Sequence, residues 1–231
     1  MEQNKKQTNE EPQEVIGNAL SSAEIFLRDH SKIFFGIIGA AVIIVAGVFC
    51  YKNFVVQPKQ QEASEQMYVA EQLFANSQFE EALNGDGNNL GFLDVIKKYG
   101  STPQGNLANR YAGICYMKLG QWNEAIKFLN QYKFKKGVPN EVLNAMNYGL
   151  LGDCHVQLND YKSAKEYYTQ AVNYSNNMLT TPMYLKKLGM ILEQLNENSA
   201  ALEAYKRIKY EFMNSIEARD INKYIGRLEQ K

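Results

Sequence analysis

Apolar residues recur at helical spacing along most of the chain, in pairs of segments separated by short polar turns. In the clearest pair, residues 116–132, the first segment is predicted to end at Gly120 and the second to carry Ala125 and Leu129 on one helical face. Glycine gives the backbone the freedom that a tight turn between helices requires. Because Ala125 is small, the two helices can cross closely, and Trp122 can wedge between them. The pattern therefore predicts an antiparallel pair of helices.

The same pattern recurs in residues 157–171 and 194–208, and a diverged copy in residues 76–83 precedes all three. When the turns are aligned, each clear copy has glycine at its eighth position and alanine at its twentieth. The copies begin at Asn106, Ala145 and Pro182, the glycines are Gly113, Gly152 and Gly189, and the alanines are Ala125, Ala164 and Ala201. These residues resemble the tetratricopeptide (TPR) repeat. That repeat pairs two helices in about 34 residues, with Leu-Gly and an aromatic residue on the first helix and Ala and Phe or Tyr on the second.

The TPR resemblance implies an all-α fold, namely a TPR α-solenoid. The clear copies are spaced more widely than the ideal repeat, so extra residues are expected in the connections near 134–139 and 175–181. Repeat stacks need a last helix that covers their exposed apolar end, and the C-terminal segment has the apolar spacing for this role. The predicted TPR domain spans 60–231, with a diverged repeat at 63–100, repeats near 106–139, 145–178 and 182–213, and a capping helix at 215–229.

A second pattern lies before the repeats, where Ile33–Tyr51 carries no charged residue and is flanked by Lys32 and Lys52. At 1.5 Å per residue this run covers roughly 30 Å, the thickness of a bilayer's hydrocarbon core. A cleaved signal peptide fits poorly, because the run is too long, a long polar region precedes it and no small-x-small cleavage site follows it. Residues 32–56 are therefore predicted to form an uncleaved, single-span transmembrane anchor.

Residues 1–31 form the predicted N-terminal tail. Residues 1–13 are polar without periodicity, which indicates disorder. Residues 14–29 have apolar positions at helical spacing and predict a short amphipathic helix that lies on the membrane surface or docks on a partner. Positive charges are nearly balanced across the span, so the usual arrangement of N-terminal anchors is adopted: the tail is cytoplasmic and the repeats lie on the other side.

Composition argues against several other classes of function. Lys plus Arg and Asp plus Glu both number 25, whereas a general nucleic-acid binder shows a basic surplus.

Cys115 and Cys154 share the tenth position of successive repeats; we expect two small buried residues, although a disulfide is possible. His155 is expected to be a satisfied core residue. Residues 84–90 are interpreted as a capped turn rather than a calcium loop, since they contain one Asp and no bidentate Glu.

No catalytic constellation, phosphate loop or paired-cysteine metal site is found in the sequence, so we expect no enzyme activity, cofactor or metal. The inner face of the repeats is the informative surface. By analogy with other TPR proteins, chosen positions of each first helix line a concave groove, and four of the eight methionines of the chain fall on them. Flexible methionine surfaces adapt to varied apolar partners. The candidate protein-binding residues are Leu107, Arg110, Ile114, Met117, Lys118, Met146, Asp153, Gln157, Met183, Lys186, Met190 and Glu193. The alternative is that the C-terminal helix packs on this face and leaves no open groove.

The order of anchor, diverged repeat and closing helix resembles a narrower family. The segments 51–59, 82–120, 180–195 and 217–230 together resemble the YfgM-like, membrane-anchored TPR proteins of Gram-negative bacteria. That family is an ancillary part of the Sec translocon, beside a membrane-anchored periplasmic chaperone. The resemblance therefore implies an inner-membrane protein with its TPR domain in the periplasm and with translocon subunits, a chaperone or unfolded clients as partners.

The expected function is that of a non-enzymatic scaffold near the periplasmic exit of the translocon. One rival is a scaffold for outer-membrane or envelope assembly, which co-purification with assembly proteins would favour. Another is an envelope-stress regulator that binds a cytoplasmic factor through residues 1–31. Deleting that tail separates the scaffold from the regulator, since only the regulator would lose its function.

Overall fold

A computed structural model describes residues 30–137, 140–174 and 176–230. The predicted polar tail and amphipathic helix, residues 1–29, lie outside the described residues. The chain divides into two units, Met1–Pro58 and Lys59–Lys231, and each is considered by itself.

The described part of the first unit is helical and apolar. Helix α1, Ser31–Tyr51, is followed by a π-helical turn at Lys52–Val56. The side chains of α1 are exposed, with Phe35 at 70% and Ile43 at 73%. Among the residues that the structure describes, one helix is long and apolar enough to cross a membrane, and α1 supplies its apolar part. This helix matches the predicted anchor in length and composition.

From Gln57 onward the described chain is also helical. The helices are α2 (Gln57–Ala75), α3 (Phe79–Asn84), α4 (Phe92–Tyr99), α5 (Pro103–Lys118), α6 (Trp122–Gln131), α7 (Asn140–Gln157), α8 (Tyr161–Tyr174), α9 (Thr181–Gln194), α10 (Asn198–Glu211) and, after a 3₁₀ turn at Glu217–Arg219, α11 (Ile221–Glu229). The pairs α5–α6, α7–α8 and α9–α10 are packed helical hairpins, and successive pairs stack on one another. The predicted all-α repeat stack is confirmed.

Each hairpin turn has the same backbone geometry. A residue with positive φ ends the first helix at Gly120, Asn159 and Asn196, and Ser77 does the same after α2. The next N–H then reaches back to a carbonyl five residues earlier, as from Gln121 to Tyr116 at 2.8 Å. This is the Schellman pattern, which satisfies carbonyls that the helix end leaves open. The turn after α2, in the predicted diverged repeat, thus has the same geometry as the turns of the three clear repeats.

Small residues allow the helices of each repeat to approach closely. Ala125, Ala164 and Ala201 are 0% exposed. A Cβ added at the eighth-position glycines would meet the same position of the second helix in every repeat. The pairs are Gly113 with Leu129, Gly152 with Tyr168, and Gly189 with Tyr205. Helix crossing thus explains why glycine and alanine recur with this spacing.

The core is formed by three clusters along the stack. The first joins α2 to α5 and includes Met67, Phe92 and Tyr99. The second lies between α6 and α7 and includes Leu129 and Cys154. The third joins α8 to α11 and includes Tyr205 and Ile225. Helix α11 closes the last repeat with buried Ile221, Ile225 and Leu228, so the predicted capping helix is confirmed.

The cap begins later than the sequence pattern suggests. Helix α11 starts at Ile221, not at Ser215, and Ile216 is 73% exposed instead of buried. The reason is a 3₁₀ turn at Glu217–Arg219, whose start is capped by Ser215 Oγ accepting from the Ala218 N–H at 3.2 Å.

The loop at residues 84–90 is a capped turn, as expected. Asp86 Oδ1 accepts hydrogen bonds from the N–H groups of Asn88 at 2.9 Å and Asn89 at 2.7 Å. The side chain and backbone of Asn89 hold the pKa of Asp86 below its usual value. The carboxylate therefore serves to stabilise its own loop.

A candidate protein-binding groove

The first helices of the repeats, α5, α7 and α9, carry the predicted groove residues. Ile114, Met117 and Lys118 of α5 face Asp153 and Gln157 of α7 across an open cleft of about 370 Å³. We call this depression the central cleft. Its other lining residues are Val156, Trp122, Leu150 and Tyr168. Five of the predicted residues are thus brought together at one place.

Trp122, Leu150 and Tyr168 also line the central cleft, although they do not occupy the repeat positions from which the groove was predicted. Leu150 occupies the sixth position of its repeat, which lies one helical turn from the second and close to the ninth, so the 3.6-residue period could have indicated it. Tyr168 and Trp122 come from the second helices α8 and α6. Their participation depends on side-chain length and hairpin geometry, which the sequence pattern does not contain.

The groove positions of the third repeat lie beside the C-terminal segment. Met183, Lys186 and Met190 share a depression with Ile216 and Asp220. Lys186 Nζ binds both carboxylate oxygens of Asp220, at 2.7 and 2.8 Å. This interaction holds the pKa of Asp220 below its ordinary value. The alternative considered from the sequence therefore applies to this end of the stack, where the C-terminal segment occupies part of the groove.

The last repeat is joined to α11 by another charged contact. Arg227 Nη2 donates to Glu193 Oε1 at 2.5 Å, and Tyr205 Oη donates to the same oxygen at 2.8 Å. Glu193, Met190 and Gln194 line a depression with Tyr224 and Arg227. The carboxylate of Glu193 thus already binds Arg227 of the capping helix α11.

A similar contact joins the second and third repeats. Asp153 Oδ1 accepts from Tyr168 Oη at 2.6 Å, and Lys187 Nζ binds both oxygens of Asp153, at 2.6 and 2.8 Å. One carboxylate therefore connects α7, α8 and α9. Because Asp153 also lines the central cleft, the inter-repeat contact fixes one wall of the candidate site.

The remaining predicted residues lie away from the central cleft. Leu107 packs against the core cluster of α2–α5. Met146 is half-buried, and its carbonyl accepts from Tyr184 Oη at 3.5 Å. The Tyr184 ring crosses α7 in direct contact with Gly149, where no side chain intervenes.

Arg110 is buried, with 7% of its surface exposed. Burial lowers the pKa of its guanidinium, and the titratable groups that act on it are the phenols of Tyr132, Tyr111 and Tyr184. Its Nε is buried and makes no hydrogen bond to any residue in the described ranges. Arg110 is thus a buried cation surrounded by tyrosine side chains.

The other singled-out side chains have structural environments. Cys115 and Cys154 are free and 0% exposed, and burial raises the pKa of each thiol to about 12. His155 stacks on Tyr167 with ring centroids 5.2 Å apart, and its Nδ1 lies 3.1 Å from Asp160 Oδ2. It has a partner, as predicted, but is half-buried at the end of α7 and not in the core.

Comparison with known proteins supports the repeat assignment. Two family models described as tetratricopeptide repeat match residues 108–133 and 147–178. No curated protein matches the chain. A crystal structure of MamA protein is 19% identical, with a TM-score of 0.54 over 73% of this chain and 81% of that one. A second MamA crystal structure is also 19% identical, with a TM-score of 0.53 over 70% and 83%.

A further solved structure comes from Podosopora anserina and is described as a kinesin light chain with nearly identical TPR-like repeats. It is 15% identical, with a TM-score of 0.55 over 74% of this chain and 86% of that one. Likeness at these identities shows the fold alone. Together with the repeated hairpin geometry, the two family matches show TPR repeats at residues 108–133 and 147–178, within a TPR-like α-solenoid fold.

Proposed function

We propose that this chain is a non-enzymatic, membrane-anchored TPR scaffold that binds chaperones or emerging polypeptides near the Sec translocon. In this proposal α1 spans the bacterial inner membrane, the tail is cytoplasmic and the repeats lie in the periplasm. The observation that carries the binding role is the central cleft, which is open and is lined by Ile114, Met117 and Trp122 together with polar residues of α7.

The chemistry of the central cleft suits protein segments. Ile114, Met117 and Leu150 offer apolar surface for a side chain of the partner, while Lys118, Asp153 and Gln157 at its borders offer charge and hydrogen bonds. A concave apolar surface with a few polar groups is the usual form of a binding site. Methionine adds adaptability, because its unbranched thioether chain fills pockets of different shape.

The apolar helix supports the anchoring part of the proposal. Helix α1 has 21 residues, which cover about 31 Å, and its large apolar side chains, such as Phe35 and Ile43, are exposed. Anchoring confines the repeats to the membrane plane and raises their effective concentration near other membrane proteins. The translocon and the periplasmic side rest on the resemblance of the whole layout to YfgM-like proteins.

Charge introduced into the central cleft tests the binding role. The full chain carrying Met117→Glu should lose its co-purifying translocon subunits and chaperone after mild-detergent purification from native membranes. The reason is that a carboxylate on the apolar wall must be desolvated when a partner binds. The matched control is Met213→Glu, since Met213 is 67% exposed outside the central cleft.

Both variants should keep the circular dichroism signal of a helical protein. Equal recovery of partners with Met117→Glu and with the unaltered chain would overturn the role of the central cleft. Adding Met146→Glu and Met190→Glu extends the test along the stack, because Met190 is 39% exposed between the second and third repeats.

A further inference from the structure

The charges around the groove are unevenly matched. Three carboxylates around the groove are each bound by a cation of a neighbouring element: Asp153 by Lys187, Glu193 by Arg227, and Asp220 by Lys186. Arg110 and Lys118 on α5 make no ion pair or hydrogen bond with any side chain in the described parts of the chain. The groove face of α5 therefore carries two cations whose charge no described carboxylate balances.

Arg110 is the more unusual of the two cations. It is 7% exposed, and its neighbours are phenols, which are neutral at physiological pH. A buried cation without a counter-charge costs free energy, because the guanidinium stays protonated at any ordinary pH. Nε is its only fully buried, unpartnered nitrogen, so the terminal Nη groups keep contact with solvent. The Nη groups are therefore the part of the guanidinium that an anion from solvent can reach.

Four of the five predicted groove residues of α5 follow one helical face. Arg110, Ile114, Met117 and Lys118 are separated by four, three and one residues, so they form a stripe with cations at its ends and apolar side chains between. Eight residues of helix rise about 12 Å. An extended peptide covers that distance in about four residues. The stripe thus has the spacing of two acidic side chains that flank an apolar one.

We propose that the partner segment recognised by α5 is an extended, acidic-apolar-acidic stretch of polypeptide. One carboxylate binds the Arg110 guanidinium, the apolar side chain enters the central cleft at Ile114 and Met117, and the second carboxylate binds Lys118. Guanidinium binds carboxylates through paired N–H donors, which makes the Arg110 contact the more specific of the two. The inference rests on the proposed function of the groove and adds the chemistry of its ligand.

Two labelled peptides test the proposal with the full chain in detergent micelles. Both are acetylated and amidated; one has two glutamates separated by three residues with a central leucine, and its twin has glutamines in their place. The glutamate peptide should bind at least about tenfold more tightly, because its carboxylates receive charged hydrogen bonds. The preference should fall as salt is added, since Lys118 is exposed.

Variants assign this preference to the two cations. Arg110→Gln should weaken binding of the glutamate peptide about tenfold and leave the glutamine peptide unchanged. Lys118→Gln should have an effect of about twofold, because an exposed charge contributes little. The matched control is Lys97→Gln, which removes an exposed charge from α4 and should change neither affinity. Arg110→Lys keeps the charge, so part of the preference should survive if the fold is intact by circular dichroism.

Three results would overturn the inference. The two peptides could bind equally well, neither could bind, or Arg110→Gln could weaken both to the same extent. A twin peptide with a free C-terminal carboxylate and glutamines identifies the source of the charge: tighter binding of that twin would contradict recognition of acidic side chains. If the peptides bind equally and Met117→Glu abolishes both, the charge inference fails while the groove proposal stands.

Discussion

Three glycines in the first helices lie where a larger side chain would meet the second helix of the same repeat. A Cβ at Gly152 would lie 2.6 Å from Tyr168 Cε1 and 2.7 Å from Cδ1. The ring is buried at 3% exposure and donates a hydrogen bond to Asp153, so it cannot move freely. Gly152 is thus a packing requirement of the hairpin.

Replacing Gly152 by alanine should therefore destabilise the repeats. Overpacking of this kind costs about 1–3 kcal/mol, measured as a lower urea midpoint of the full chain followed by circular dichroism. Gly226→Ala is the matched control, since a Cβ at this helical position meets nothing within 4 Å. That control should stabilise by about 0.5–1 kcal/mol, because glycine loses more entropy than alanine when a helix forms. An equal effect of the two changes would contradict this account of the repeat glycine.

Small residues are also the part of the fold that the sequence predicts best. The eighth and twentieth positions recur because backbone approach tolerates only glycine or alanine there, and a fixed period exposes that constraint. Arg110 shows the opposite case. One of the phenols near it is that of Tyr184, whose ring reaches from α9 across Gly149 of α7, and no periodic pattern encodes that path. The exposure of individual groove residues can therefore be read only from the structure.

At the scale of elements, neighbouring repeats are held by carboxylates that bind two helices at once. Asp153 accepts hydrogen bonds from Tyr168 of its own repeat and from Lys187 of the next. Glu193 likewise accepts hydrogen bonds from Tyr205 of its own repeat and from Arg227 of α11. Partial burial of these contacts makes them stronger than an ordinary surface ion pair. The two contacts align α7 with α9 and α9 with α11.

Removing the Asp153 charge should weaken the interface between the second and third repeats. Asp153→Asn leaves Lys187 without its carboxylate and should cost about 1–2 kcal/mol in the free energy of unfolding. The control is Glu124→Gln, which breaks the exposed Lys127–Glu124 pair within α6 and should cost at most about 0.5 kcal/mol. Amide hydrogen exchange should also accelerate in α9 more than in α5 when Asp153 is replaced by asparagine. The Glu124→Gln control should show no such difference between the two helices. Identical exchange in both variants would contradict a bridging role.

The end of the groove was not predictable from the repeat pattern. The sequence left open whether the C-terminal helix covers the groove, because the alternatives differ only in the path of residues 212–220. The 3₁₀ turn brings Asp220 to Lys186, and α11 brings Arg227 to Glu193. A local turn and two ion pairs thus decide which groove positions are flanked by the cap.

At the scale of the whole molecule, the chain contains an apolar helix of membrane-spanning length and a separate TPR unit. The repeats create the central cleft between α5 and α7 in the middle of the stack, away from the capped end. Each part needs the other in the proposed function, because the cleft supplies binding and the anchor supplies location. In that proposed function, the central cleft binds protein partners on the periplasmic side of the membrane.

Site-specific photo-crosslinking tests this binding role and its location. A photoreactive residue at position 117 of the full chain, irradiated in native membranes, should form crosslinks to translocon subunits and a periplasmic chaperone, identified by mass spectrometry. The same group at position 203, which is exposed on α10, provides the matched control and should give few crosslinks. Crosslinks from position 117 to cytoplasmic proteins would invert the proposed topology. Equal yields from positions 117 and 203 would contradict binding in the central cleft.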